Sequence, residues 1–172
     1  MTGGGPSTPS QTIGPFFHFA MEAMAGGDVV APGTPGAVAV TGTVLDGHGE
    51  PVPDAMVEVY QADPQGAFPP GWHGFARALT DGDGRFGLTV VKPGSVDGRQ
   101  APHLEVILFA RGLLQRLATR MYFPDEEDAN ASDPLLAGIG DRAASLVARP
   151  APSGLQFDLC LQGPDETVFF VW

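Results

Sequence analysis

Cysteine occurs once in 172 residues, at Cys160, so no internal disulfide can staple the fold. Its flanks, LQFDLCLQG, alternate with apolar residues, and a small buried side chain is the expectation rather than a nucleophile. Basic residues are also scarce. Nine Lys and Arg stand against twenty Asp and Glu, giving a net charge of -11. Such a surface repels phosphate backbones and excludes ordinary nucleic-acid binding. No apolar run approaches the ~18 residues of a membrane span. The opening MTGGGPSTPSQT has neither the basic start nor the apolar stretch of a secretory leader, so a cytoplasmic protein is the default expectation. Tyrosine is limited to Tyr60 and Tyr122, which restricts any chemistry that needs phenolates.

What is abundant is turn chemistry. Gly (24) and Pro (17) make up about a quarter of the chain, which favours short strands and turns over long helices. Hydrophobic residues supply 43%, enough for the core of one domain. No internal repeat or long linker divides the chain. Residues 1–20 read as an N-terminal arm, and 21–172 as one β-sandwich domain.

Period-2 alternation marks the strands. Val38, Val40, Gly42 and Val44 alternate with Ala39, Thr41 and Thr43, and Val57 and Val59 alternate with Glu58 and Tyr60, around the turn DGHGEPVPDA. RALTDGDGRFGLTVV reads as a hairpin closed by Asp-Gly-Asp-Gly. HLEVILFA, LATRMYF, LQFDLCL and ETVFFVW are four more strand candidates. One helix is expected in SDPLLAGIGDRAASLVARP, with Ser132 or Asp133 as N-cap, Pro134 near its start and Pro150 as its stop; Gly138 and Gly140 weaken it. The fold class is therefore all-β, a β-sandwich with an N-terminal arm and one short helix. The stretch from Thr41 to Phe86 resembles many prealbumin-like sandwich modules, which does not separate an enzyme from a binding module.

Within APHLEV, His103 and Glu105 are two apart on a strand and point to one face, where both could reach a metal ion. A two-His-one-carboxylate site would need a second histidine. His18, in PFFHFA, reads as packed or bonded to backbone near the arm. His48 lies in a turn and His73 in the loop PPGWHGF, both expected to be solvated. Tyr60 and Tyr122, each in an apolar strand, read as aromatics packed in or on the sandwich.

Two stretches are more specific. SQTIGPFFHF at 10–19 and APHLEVILFARGLLQRLATRMYFPDEEDANASDPLL at 101–136 resemble the protocatechuate 3,4-dioxygenases, intradiol ring-cleaving dioxygenases, on the side of their α subunits. GRFGLTVVKPG and GPDETVFF fit the same pattern. The resemblance implies an all-β sandwich and a hetero-oligomer in which a β subunit holds non-haem Fe(III) through two tyrosines and two histidines. Of those positions this chain keeps His103. Glu105 stands at the second histidine, Val96 at one tyrosine, and the loop QGAFPPGWHGFA has no tyrosine for the other. The expectation is that iron is bound by the partner β subunit and that this chain has no metal ligands and no catalytic residue of its own. The resemblance further implies that Thr12, Gly14, Pro15 and Arg120 line the cavity for a small aromatic acid, 3,4-dihydroxybenzoate. Residue chemistry agrees with that role: Pro15 stiffens the arm, Gly14 admits close approach, and a guanidinium suits an anion. The rival for Arg120 is a surface ion pair with Asp125 to Asp128. A metal-free sandwich module with no catalytic partner, and a self-sufficient single-chain dioxygenase, are the alternative functions.

Overall fold

A computed structural model of the chain describes residues 7–14 and 16–171. In chain order it contains α1 (Phe16–Glu22), β1 (Ala37–Leu45), β2 (Met56–Tyr60), β3 (Phe75–Leu79), β4 (Arg85–Val91), β5 (His103–Phe109) and β6 (Leu117–Tyr122). Then follow α2 (Glu127–Ser132), α3 (Pro134–Ile139), a 3-10 turn (Gly140–Leu146), β7 (Arg149–Ala151), β8 (Gly154–Gln156) and β9 (Leu159–Cys160).

Two sheets face each other. One has the order β4-β1-β8-β7, with β9 also paired to β1; the other is antiparallel throughout, in the order β3-β2-β5-β6. The alternation read from the sequence decides which side chains meet between them. Val40 and Val44 of β1 and Phe86, Leu88 and Val90 of β4 close over Val57 and Val59 of β2 and Leu104, Val106 and Leu108 of β5, all buried. Fully burying one such side chain is worth about 1.5–3 kcal/mol, so this layer carries most of the fold's stability. Gly42 interrupts the β1 alternation for a steric reason. A Cβ there would lie 1.9 Å from the Phe157 carbonyl oxygen, where the chain crosses β1 and Phe157 N–H bonds to the Thr41 carbonyl.

The expected hairpin between β3 and β4 is a corner between sheets, and so is the turn between β1 and β2. β1 and β2 belong to different sheets, as do β3 and β4. The turn chemistry is as expected: Gly84 N–H bonds to the Asp81 carbonyl, and the Asp81 carboxylate accepts from Asp83 N–H and Arg85 N–H. The strands then diverge because Thr80 is buried at the corner. Its hydroxyl accepts from Ala55 N–H and donates to the Val52 carbonyl, tying the two corners together.

Helix content also differs from expectation. α1 begins at Phe16, inside the segment expected to be an arm, and Phe17 packs on Phe109 of β5 with ring centroids 6.3 Å apart. The expected 132–150 helix starts as read, with Asp133 as N-cap and Pro134 first. It ends at Gly140, whose φ of +60° breaks it, and the chain continues as a 3-10 turn. Pro150 falls inside β7 rather than acting as the stop. ETVFFVW forms no named strand among the described residues. A single bridge joins Phe170 to Ala118, because Thr167 is engaged with Cys160 instead.

Candidate functional site

The outer face of the β3-β2-β5-β6 sheet carries the chemistry. Because Leu104, Val106 and Leu108 turn inward, His103, Glu105, Ile107 and Phe109 turn outward. On β6 the outward set is Ala118, Arg120 and Tyr122. Register then pairs His103 with Tyr122 and Glu105 with Arg120 directly across the two strands.

Arg120 donates from Nε to Glu105 Oε1 at 2.8 Å, and its Nη2 lies 2.7 Å from the same oxygen. Its Nη1 is 3.4 Å from the Tyr122 hydroxyl, which in turn lies 3.4 Å from Asp133 Oδ1. His103 Nε2 stands 3.4 Å from Glu105 Oε1, while its Nδ1 is 2.7 Å from the Ala101 carbonyl oxygen. That carbonyl can only accept, so Nδ1 carries the proton. Asp133 closes the network from below. It is fully buried, caps α3 by accepting from Leu135 and Leu136 N–H, and accepts from Ala101 N–H at the start of β5.

Burial sets the protonation of these groups. Burial raises the Tyr122 pKa to about 12 despite the pull of the Arg120 charge, so its phenol is neutral at ordinary pH. Burial also works to raise Glu105, but the hydrogen bond from His103 and the Arg120 charge outweigh it, and its pKa is lowered. Glu105 is thus a carboxylate, and its charge is taken up by Arg120.

A ferric site of the intradiol type needs anionic phenolates and imidazoles. The residues here do not fit one. Tyr122 is a neutral phenol, Val96 lies in the loop after β4, and a guanidinium rests on the only carboxylate oxygen that faces His103. No group of three or more His, Cys, Asp or Glu is placed to hold a metal among the described residues.

The arm residues lie elsewhere on the same sheet. Thr12 is exposed and its hydroxyl oxygen accepts from Gly112 N–H at 2.7 Å, just beyond the end of β5. The Gly14 carbonyl accepts from Phe17 N–H at the start of α1; Pro15 lies outside the described residues. Arg120 pairs with Glu105, four residues or roughly 13 Å along β5 from Phe109, so the structure does not bring Arg120 to Thr12. The acidic run expected as Arg120's rival partner is used otherwise: Asp125 and Glu126 bind Lys92. The cation beside the arm is Arg111, which neighbours Gly112 and pairs with Asp54 at 2.8 Å. Sequence reading passed over it, although FARG lies inside the second of the two stretches that carry the resemblance.

The remaining candidates are not drawn in. His48 and His73 are exposed. His18 faces Glu22 one helical turn on at 3.6 Å. Tyr60 is exposed and stacked on Phe68, with ring centroids 5.4 Å apart.

Comparison with known proteins bears on this site. Residues 18–163 match the family described as Dioxygenase. The chain is 41% identical to the protocatechuate 3,4-dioxygenase alpha chain of Burkholderia cepacia, over 95% of this chain and 96% of that one. It is 37% identical to the alpha chain of the same name from Pseudomonas putida, over 96% of each. Among solved structures it is similar to the dioxygenase domain of a dioxygenase carbohydrate-binding protein fusion from Streptomyces sp. SirexAA-E, with a TM-score of 0.61, 26% identity and coverage of 95% of this chain and 96% of that one.

Proposed function

Because the chain belongs to the intradiol dioxygenase family, we propose that it is the α subunit of a protocatechuate 3,4-dioxygenase. The assembly would open the ring of 3,4-dihydroxybenzoate with O2 between its two hydroxylated carbons, giving 3-carboxy-cis,cis-muconate. Fe(III) belongs to a partner β subunit and supplies the oxygen chemistry there. This chain supplies cavity wall and interface. One observation carries the reading: end-to-end identity to α chains coincides with a His103–Glu105 pair whose carboxylate is bonded to Arg120.

An interface is supported by what the outer face exposes. Tyr60, Phe68 and Phe75 are each about half exposed; Tyr60 and Phe75 line an apolar groove of roughly 340 Å³ with Ile107, Ala118 and Arg116, and Phe68 stacks on Tyr60. Aromatic patches of this kind mark surfaces that a partner covers. A cytoplasmic location is part of the same proposal; no helix among the described residues is long and apolar enough to cross a membrane.

Thr12, Gly14, Pro15 and Arg120 are proposed as this chain's share of the substrate cavity. A second reading moves the cation from Arg120 to Arg111. It is favoured by the Thr12–Gly112 hydrogen bond, which seats the arm beside Arg111, while the Arg120 guanidinium is spent on Glu105.

The test is co-expression with a β chain that carries two tyrosines and a His-x-His strand. Oxygen uptake with 3,4-dihydroxybenzoate should require both chains, and iron should co-purify with the β chain. A stoichiometric ferric ion on this chain alone would favour a self-sufficient dioxygenase. Failure to associate with any such β chain would favour a metal-free binding module. In the active complex, Arg111→Ala and Arg120→Ala are compared: the variant that raises KM more than it lowers kcat identifies the cation that holds the substrate anion.

A further inference from the structure

We infer that Asp54 is the positioning residue for Arg111. Its carboxylate, carried on a left-handed backbone residue just before β2, fixes the guanidinium beside the arm and leaves the open side of that group for the carboxylate of an aromatic acid. The inference rests on the second reading above, in which Arg111 is this chain's cation for the substrate anion.

Sheet register brings the two residues together. β2 and β5 pair Glu58 with Ile107, Val57 with Leu108 and Met56 with Phe109. Carried two residues past the last rung, the same antiparallel register sets Asp54 opposite Arg111. There Asp54 Oδ2 stands 2.8 Å from Arg111 Nη2. Both backbones are held on either side. Asp54 lies between Val52, whose carbonyl accepts from the Thr80 hydroxyl, and Ala55, whose N–H donates to that hydroxyl and whose carbonyl accepts from Thr80 N–H. Arg111 follows Ala110, which is buried in the main core cluster, and precedes Gly112, whose N–H donates to Thr12.

Two features separate this pair from an ordinary surface ion pair. Asp54 has a φ of +61°, a conformation that glycine adopts without the steric cost of a Cβ. Strained backbone of this kind collects at functional sites, and the side chain it keeps here is the one that meets Arg111. The pair is also lopsided. The Asp54 side chain is 22% exposed and the Arg111 side chain 52%, so the anchor is covered while the cation is open. Among the described residues, Nε and Nη1 of Arg111 have no partner. A guanidinium carries its N–H donors in one rigid plane, so a single nitrogen held by Asp54 orients the plane and leaves the others for a two-pronged grip on a carboxylate. The Asp54 charge offsets the long-range attraction of Arg111. What the pair offers an anion is therefore fixed direction, which spares the entropy of immobilising a long side chain on binding.

The experiment uses the complex with the β chain and measures kcat and KM for 3,4-dihydroxybenzoate by oxygen uptake. 4-Methylcatechol, which keeps both hydroxyls and lacks the carboxylate, is measured as a competitor. Asp54→Asn keeps the shape and tolerates positive φ while removing the charge, and Asp54→Gly removes the side chain and the backbone strain together, so both keep the fold. Each should raise KM about 5-fold with kcat held, and leave the inhibition constant of 4-methylcatechol unchanged. Arg111→Ala should show the same selectivity more strongly, and adding Asp54→Asn to it should change nothing further. If Arg111→Ala raises KM while both Asp54 variants match or improve on wild type, the Asp54 inference is overturned and Arg111 keeps its role. Equal weakening of both ligands by the Asp54 variants, or a fall in melting temperature that accounts for the lost activity, would make Asp54 structural and overturn the inference as well. Arg111→Ala indistinguishable from wild type would overturn the Arg111 reading, and the Asp54 inference with it.

Discussion

Glu105 and Arg120 stand directly opposite one another on β5 and β6, and one carboxylate oxygen receives both the Nε and the Nη2 of the arginine, at 2.8 and 2.7 Å. Cross-strand pairs of opposite charge are ordinary on solvated sheets and contribute about 0.2–1 kcal/mol. This one differs because Arg120 is largely buried and its remaining nitrogen approaches a buried phenol. The pair holds the outer ends of β5 and β6 in one electrostatic unit with α3, through Tyr122 and Asp133.

Glu105→Gln should therefore destabilise the chain by about 1–2 kcal/mol, because Arg120 is left without its counter-charge while Glu105 itself is a third exposed. The pH dependence has a definite sign. Glu105 has a folded pKa below its unfolded value, so the stability it contributes is present above about pH 4.5 and is lost as pH falls through the folded value. Urea melts of wild type and Glu105→Gln between pH 3 and pH 7 should converge at the acid end. A constant gap across that range would remove the ionic account of the pair.

Tyr122 titrates at the other extreme. Its phenol, raised to about 12, keeps its proton well past the usual value of about 10, so the unfolded chain ionises first on the alkaline side. Stability contributed by the neutral buried phenol is thus present below pH 10 and lost as pH rises toward 12. The ultraviolet titration assigned to this residue by subtracting the Tyr122→Phe spectrum should have its midpoint near 12. At pH 7 the Phe variant should cost no more than about 1 kcal/mol, since both contacts of the hydroxyl are long, at 3.4 Å. A midpoint at 10 would mean the phenol is open to solvent.

How far this site could be read from the chain differs residue by residue. The alternation in HLEVILF placed His103 and Glu105 on one face, and β5 confirms it, because a strand's period is fixed by backbone geometry. Nothing local announces that Arg120 would stand opposite Glu105 rather than beside Asp125. That depends on register between β5 and β6, which the connection of 110–116 sets. The corner between β3 and β4, read as a hairpin, shows the same limit, as does the turn between β1 and β2. Asp-Gly turns close the chain on itself either way, and only the burial of Thr80 decides that the next strand joins the opposite sheet. The helix at Phe16 was hidden because FFHFAME is apolar around most of its circumference and short, so no amphipathic period stands out. The start of α3 was legible, since an Asp followed by Pro is a local capping signal.

Asp133 tests whether that cap is also structural to the site. Asp133→Ala leaves three N–H groups, those of Ala101, Leu135 and Leu136, without their acceptor in a fully buried position. A lost cap costs about 1 kcal/mol, and further unsatisfied buried donors add to it, so a loss of about 2–3 kcal/mol is expected. Asp133→Asn should recover part of this, because its amide oxygen still accepts. Hydrogen exchange should show faster opening of the amides at Leu135, Leu136 and Ala101, with β1 and β4 unaffected. Uniform loss of protection across both sheets would make Asp133 a global stabiliser instead of a local tie.

The arm makes the last prediction. Residues 7–12 are exposed, and Thr12 is tied to the domain by one exposed hydrogen bond to Gly112; among the described residues, none before Val29 belongs to, or packs against, the main core cluster. Deleting residues 1–15 removes that bond and the Gly14 carbonyl that accepts from Phe17 N–H, and leaves the packing of Phe17 on Phe109. The cost to the isolated chain should be about 1 kcal/mol or less, read as a small shift of its melting temperature. In the complex with a β chain the outcome should differ. If Thr12, Gly14 and Pro15 form cavity wall, the deletion lowers oxygen uptake strongly at subsaturating 3,4-dihydroxybenzoate, while replacing residues 1–6 alone has little effect. Thr12→Val separates anchoring from contact, since it removes the Gly112 bond without shortening the arm. A KM increase in Thr12→Val comparable to that of the deletion would show that seating the arm beside Arg111 is the step that matters. Wild-type uptake and affinity after deletion of residues 1–15 would make the arm a passive tail and remove it from the cavity.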